Sequence, residues 1–206
     1  MPETRGRFIT LEGGDGAGKT TQARRLAEAL SAAGRPVLRT REPGGAPGAE
    51  RIRRLLLDGA GFDPLAEAML HFAARREHAV RTIWPALTAG VTVICDRFAD
   101  STLAYQGAGQ GLDRDIWDRL RAVALGDFMP DLTLVMDIPV GIGQARALRR
   151  GAADRYERLE QGFHERVRAA FLAIAAADPG RCVVIDAARD ADAVFADAWR
   201  AVSARC

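Results

Sequence analysis

Five short apolar runs punctuate the chain: Phe8 to Glu12, Pro36 to Thr40, Val91 to Asp96, Leu132 to Ile138 and Cys182 to Asp186. Nearly all are continuously hydrophobic rather than alternating, the pattern of strands covered on both faces of a parallel sheet. Between them, apolar positions recur at helical spacing. Thr20 to Ala33 predicts one helix, closed by Gly34. Tyr156, Leu159, Phe163, Val167, Phe171 and Ile174 form a second helical stripe, with Glu157, Glu160, Glu165 and Arg166 on other faces. Strands alternating with helices predict right-handed crossovers. The expected fold is therefore α/β, a five-stranded parallel sheet wrapped by helices, with ligands beyond the carboxyl ends of the strands. No repeat, low-complexity tract or long linker interrupts the pattern, so residues 1–206 are expected to form a single domain.

Composition narrows the class. With 48% hydrophobic and 27% charged residues, the chain is neither disordered nor fibrous. A formal net charge of +2 gives no global field that would draw nucleic acid or a membrane surface, so any anion site must be local. No apolar run approaches the roughly 20 residues of a spanning helix, and Met1-Pro2-Glu3-Thr4-Arg5 lacks the apolar core of a signal peptide. A cytoplasmic location is expected, without nucleic-acid or membrane partners. Cys95, Cys182 and Cys206 have neither zinc-site nor disulfide-framework spacing, and the first two fall inside apolar strands as inert core residues. Lys19 is the single lysine among 29 basic Lys and Arg residues. A chain that uses arginine everywhere else keeps a compact, mobile ammonium at this one position.

That lysine sits in Gly13-Gly14-Asp15-Gly16-Ala17-Gly18-Lys19-Thr20, which matches G-x-x-x-x-G-K-[ST] directly after a strand and before a helix. Such a phosphate-binding loop, or P-loop, turns consecutive backbone N–H groups around a phosphate and adds the positive end of the following helix. Lys19 would reach the terminal phosphates and Thr20 would hold magnesium. Switches, motors and small-molecule kinases share this loop. The Asn-Lys-x-Asp segment with which guanine-specific switches read their base needs a further lysine, which this chain lacks.

Other clusters lie at predicted strand ends. Thr40-Arg41-Glu42-Pro43-Gly44-Gly45 follows the second strand. Asp96-Arg97-Phe98 follows the third and leads into Asp100-Ser101-Thr102-Leu103-Ala104-Tyr105-Gln106-Gly107. Ala73-Ala74-Arg75-Arg76-Glu77 lies on a helix between them. Singly, each arginine is a solvated surface residue; together they suit a second nucleotide, with forks for phosphate and a ring and an amide for a base. A further cluster, Arg146, Arg149, Arg150, Asp154, Arg155 and Arg158, is either a charged helix end or an arginine-bearing lid, at about residues 143–158, that closes over phosphates. The residues alone reach a P-loop kinase of an anionic acceptor. They leave open another acceptor of the same fold class and a nucleotide-dependent switch.

These segments together resemble the bacterial thymidylate kinases. The resemblance rests on Glu12-Gly13 with Asp15-Gly16 and Gly18-Lys19-Thr20-Thr21, Arg41-Glu42-Pro43-Gly44-Gly45, Asp96-Arg97-Phe98 with Ser101-Thr102 and Tyr105-Gln106-Gly107, Gly126-Asp127-Phe128 with Pro130-Asp131-Leu132-Thr133, and Asp154-Arg155. It implies a P-loop NTPase fold of the nucleoside monophosphate kinase type, and ATP-dependent phosphorylation of dTMP to dTDP with Mg2+. Residues 13–20, including Ala17, would hold ATP. Arg97 would hold the acceptor phosphate, Arg75 would bond the thymine, and Tyr105 would lie under the deoxyribose. Ser101, Thr102, Gln106 and Arg41 would complete the acceptor site. Asp15 would accept from the sugar hydroxyl or orient the metal shell, and Asp96 would be a metal-shell carboxylate or the partner of Arg97. Because Gly16 and Ala17 occupy the loop where some relatives carry an arginine, Arg146, Arg149, Arg150 and Arg155 of the lid would supply the cationic help. Where the family has its base-stacking phenylalanine this chain has His71, so either His71 stacks or the helix register lets Phe72 and Arg76 serve instead, with Arg75 and Phe72 the preferred pair. The resemblance also implies a cis Glu42–Pro43 bond and a homodimer through helices from Leu65 to Leu87.

Overall fold

A computed structural model describes residues 5–58, 61–149, 151, 155–156 and 159–205. Five parallel strands, β1 (Phe8–Glu12), β2 (Val37–Arg41), β3 (Thr92–Asp96), β4 (Leu132–Asp137) and β5 (Cys182–Asp186), form one sheet in the order β2-β3-β1-β4-β5. The predicted strands fall within one or two residues of these bounds. β1 and β4 are buried almost throughout, as their unbroken apolar runs require, whereas β2 lies at an edge and exposes Arg39 and Arg41.

The sheet's two faces are served by neighbouring residues of the same strands. Ile9 and Leu11 pack with Leu26 and Leu30 of α1 (Lys19–Ala32) and with Val194, Ala198 and Val202 of α9 (Ala191–Ser203). Phe8, Val93 and Cys95 pack on the other face against Phe72 of α3 (Pro64–His78), Leu87 of α4 (Trp84–Thr88) and Trp117 of α6 (Arg114–Leu125). Helix α2 (Pro47–Leu57) lies against α3 through Ala49 and Ala74.

Two segments depart from α geometry. Residues 79–83 and 103–109 are π-helical, the second directly continuing the short α5 (Ala99–Thr102). The predicted stripe beginning at Tyr156 is shorter as a helix: α8 spans Gln161–Ala177. Tyr156 stands before it, its ring buried and its hydroxyl drawn into a polar cluster described below. The predicted lid also divides. Residues up to 148 belong to α7 (Val140–Leu148), while Arg150, Asp154 and Arg158 lie outside the described residues.

Candidate active site

The glycine-rich loop leaves β1 at Glu12 and enters α1 at Lys19. Gly18, at φ 82°, precedes the helix without a side-chain cap, so the first-turn N–H groups have no side-chain acceptor. At Gly13 (φ 129°) a Cβ would stand 2.4 Å from the Met136 carbonyl oxygen, and at Gly16 (φ 73°) 1.9 Å from that of Gly143. Only glycine fits both places. Lys19 is buried, and its Nζ donates to the carbonyls of Gly13 (3.0 Å) and Gly14 (2.7 Å). Burial, with the nearby Arg97 cation adding to it, lowers its pKa to about 8. The Thr20 hydroxyl donates to Asp96 Oδ2 at 2.5 Å. Lys19, Thr20, Asp96, Arg41 and Arg146 line a wide trough with about 2110 Å³ of open space. Arg146 is tied there by bonds from its guanidinium to the carbonyls of Ala187 (2.7 Å) and Ala188 (3.0 Å).

A smaller pocket of about 560 Å³ adjoins the trough. Asp15 and Arg97 line both. Arg97 is the one described non-glycine residue with positive φ (73°), a conformation costing on the order of 1–3 kcal/mol that persists only where surroundings enforce it. They do so here. Its N–H donates to Leu11 O, and its guanidinium donates to Asp15 (2.6 Å), the Tyr105 hydroxyl (2.9 Å), Gly13 O (3.0 Å) and Ser101 (3.2 Å). Tyr105 in turn donates to Asp15 at 3.0 Å. Burial would raise the Asp15 pKa, but Arg97, Lys19 and the Tyr105 hydroxyl hold it below the usual carboxylate range. The surrounding oxygens likewise keep Arg97 cationic against the cost of its burial.

Beneath this turn lies Glu12, fully buried, which accepts from Phe98 N–H (2.7 Å) and from the Ser101 hydroxyl (2.6 Å). Burial, then the neighbouring Asp100, pushes its pKa up to about 7. Arg75, only 2% exposed, reaches the pocket from α3, its guanidinium donating to Glu42 (2.7 Å), Thr102 (3.1 Å) and Phe98 O (2.9 Å). Glu42 also meets His78 Nδ1 at 3.0 Å and precedes a cis bond to Pro43, in agreement with the sequence expectation.

Arg75, Arg97, Ser101, Thr102, Tyr105 and Gln106, expected together from sequence, all line this pocket. Three expected residues lie elsewhere. Phe72 does not line it; its ring packs beside Trp117 and under the Arg75 guanidinium, and His71 faces the pocket instead. Arg155 lines neither cavity, because the buried Glu67 carboxylate captures its guanidinium over the Tyr156 ring. Arg41, paired with Glu50 at 3.3 Å, lies on the trough side.

Sequence reasoning missed Glu67 and the pocket position of Tyr156. The usable signal was helical register: Glu67, His71 and Arg75 stand at i, i+4 and i+8, one face of α3. His71 is held neutral, its pKa lowered to about 3 by burial and then by Arg75 and Arg155.

Comparison with known proteins gives the family. The family model described as thymidylate kinase matches residues 11–198. A thymidylate kinase of Caulobacter vibrioides is 53% identical over 195 residues, covering 94% of each chain. One from Cereibacter sphaeroides is 52% identical over 205 residues, covering 96% of this chain and 94% of that one. The crystal structure of the Ehrlichia chaffeensis thymidylate kinase is similar with a TM-score of 0.78 at 39% identity, covering 96% of this chain and 99% of that one. A five-stranded parallel sheet of the P-loop NTPase fold, the family model and these relatives agree: the chain belongs to the thymidylate kinase family.

Proposed function

We propose that this chain transfers the terminal phosphoryl group of ATP to dTMP, giving dTDP and ADP. The observation that carries the reading is the shared wall of the two cavities, where Asp15 and Arg97 stand between a glycine-loop trough, lined by Lys19, and a smaller pocket. Transfer of a phosphoryl group between two anions is mainly positioning and neutralisation of charge. The glycine loop from Gly13 to Thr20 holds the donor phosphates and Lys19 meets the outermost of them. Arg97 turns its fork to the acceptor phosphate, held in place by Asp15 and Tyr105. Arg75, Thr102 and Gln106 face the base, with Tyr105 beneath the sugar, and Asp15 accepts from a sugar hydroxyl.

The Thr20 hydroxyl and Asp96 carboxylate are hard oxygen donors 2.5 Å apart, a set that suits Mg2+ shared with substrate phosphates. When bound, the ion neutralises charge on the phosphates. Arg146 lines the trough from α7, within a single 206-residue domain. Among the described residues no helix is long and apolar enough to cross a membrane. Exposed Leu65 and Met69 on α3, with Leu55 on α2, support association as a homodimer; a monomeric mass in light scattering at micromolar concentration overturns it.

The testing experiment is a coupled assay of ADP release with Mg-ATP and dTMP, dUMP, UMP, thymidine or no acceptor. Turnover with dTMP and none with thymidine supports the reading. Turnover independent of acceptor, or absent with every acceptor, overturns it.

A further inference from the structure

The most heavily bonded carboxylate among the described residues is one that the proposed transfer does not use. Glu67, with no exposed surface, accepts from Gln106 Nε2 (2.8 Å), Gln110 Nε2 (3.0 Å), the Tyr156 hydroxyl (2.7 Å) and the Arg155 guanidinium. A carboxylate only accepts, so every group around it must present hydrogen. This fixes the direction of the next bonds. Tyr156 gives its single proton to Glu67, and the raised pKa that burial and Glu67 impose keeps that proton in place. The Tyr156 oxygen can then only accept from outside: from His71 Nε2 at 3.1 Å and from Gln106 Nε2 at 3.3 Å. His71 is neutral, so its Nε2 must carry the hydrogen. Both hydrogens of the Gln106 amide are likewise consumed, by Glu67 and by Tyr156. The remaining atom of that amide is the carbonyl oxygen, and Gln106 lines the acceptor pocket.

We infer that Glu67 is a positioning residue for base selection: it locks Gln106 with its carbonyl toward the acceptor, opposite the donating fork of Arg75. A pocket with a donor at one edge and an acceptor beside it suits a 4-oxo pyrimidine, which offers a carbonyl and a ring N–H. A 4-amino pyrimidine offers an amine to the donor and a lone pair to the acceptor, and is rejected at both places. This rests on reading the pocket as the acceptor site.

The test compares kcat/KM for dTMP and dCMP in the full chain and in Glu67→Gln, which keeps the side chain's size while placing a donor among donors. The unmodified chain is measured first; if it fails to phosphorylate dTMP, the acceptor reading itself falls. Given that activity, Glu67→Gln is expected to lower the dTMP-to-dCMP ratio roughly tenfold or more, chiefly through KM for dTMP, with KM for ATP within about twofold. A purely structural carboxylate lowers both acceptors together; an unchanged ratio overturns the inference. Should Glu67→Gln fail to fold, Tyr156→Phe keeps the carboxylate but frees one Gln106 hydrogen. Its ratio is expected to fall about threefold, and a ratio equal to the unmodified chain's overturns the inference equally.

Discussion

The glycine-loop trough and the smaller pocket meet at Arg97, yet they are built by different means. The trough is centred on the main chain of the glycine loop, with Gly16 and Gly18 in its wall and Thr20, Asp96, Arg41 and Arg146 around it, and its one lysine, Lys19, is buried at a cost visible in its lowered pKa. The pocket is mostly side chain, gathered from β2's end, α3, β3's end, the π-helical segment and the turn before α8, with most of its polar atoms satisfied by one another. A site made of main chain can lose its side chain and keep its form. In a site made of interlocked side chains, binding and stability cannot be separated.

Substitutions test that contrast. The largest effect is expected at Arg75→Ala, which strands the buried Glu42 between His78 and a void. Breaking such a pair costs about 3–5 kcal/mol, to be read as a fall in the urea midpoint, together with weaker dTMP binding. A stable variant impaired only in catalysis breaks the comparison. Next is Lys19→Ala, expected to reduce turnover by about two orders of magnitude or more while raising the thermal midpoint at pH 7, where the buried ammonium burdens the fold. Its pH signature is specific. A lysine whose pKa is about 8 in the fold, below its ordinary 10.5, burdens the folded state below pH 8, so stability rises between those values. That rise should vanish in the variant, as calorimetry across pH 7.5 to 10.5 would reveal.

Glu12→Gln comes third. A carboxyl with pKa about 7 in the fold and an ordinary value of 4.5 binds protons more readily folded than unfolded, so its contribution falls as pH climbs through that window. The variant should lose a slope on the order of 1–3 kcal/mol, and an unaltered stability profile from pH 4.5 to 7 contradicts the assignment. The smallest effect is Tyr105→Phe: it removes one link between Arg97 and Asp15 but not their ion pair, and should lower kcat/KM for dTMP by about 1 kcal/mol. A loss as large as that of Lys19→Ala would show that the hydroxyl, not the pair, orients the fork.

The same contrast explains what could be read from the chain. The strands and the glycine loop were legible because their information is contiguous: runs of apolar residues, and glycines at fixed offsets before Lys19. Arg75, Arg97, Tyr105 and Gln106 were legible through their segments, although nothing in those segments states that they converge. Glu67 was not legible, since an acidic residue on an amphipathic helix reads as solvated until the π-helical segment and Tyr156 are folded over it. Phe72 misled for a related reason: one position along a helix rotates a side chain by about 100°, and that step separates the pocket, where His71 stands, from the core. Arg155 followed the same rule, because a buried carboxylate outweighs a pattern of exposed arginines.

One lysine in the whole chain, held inside the phosphate loop, has a spectroscopic consequence. Isotopic enrichment of lysine alone gives a single side-chain resonance with no background, and that resonance originates at the donor cavity. Its shift on adding nucleotide, and its titration near pH 8 without it, would follow the loop from within, atom by atom, in a molecule otherwise silent at that frequency.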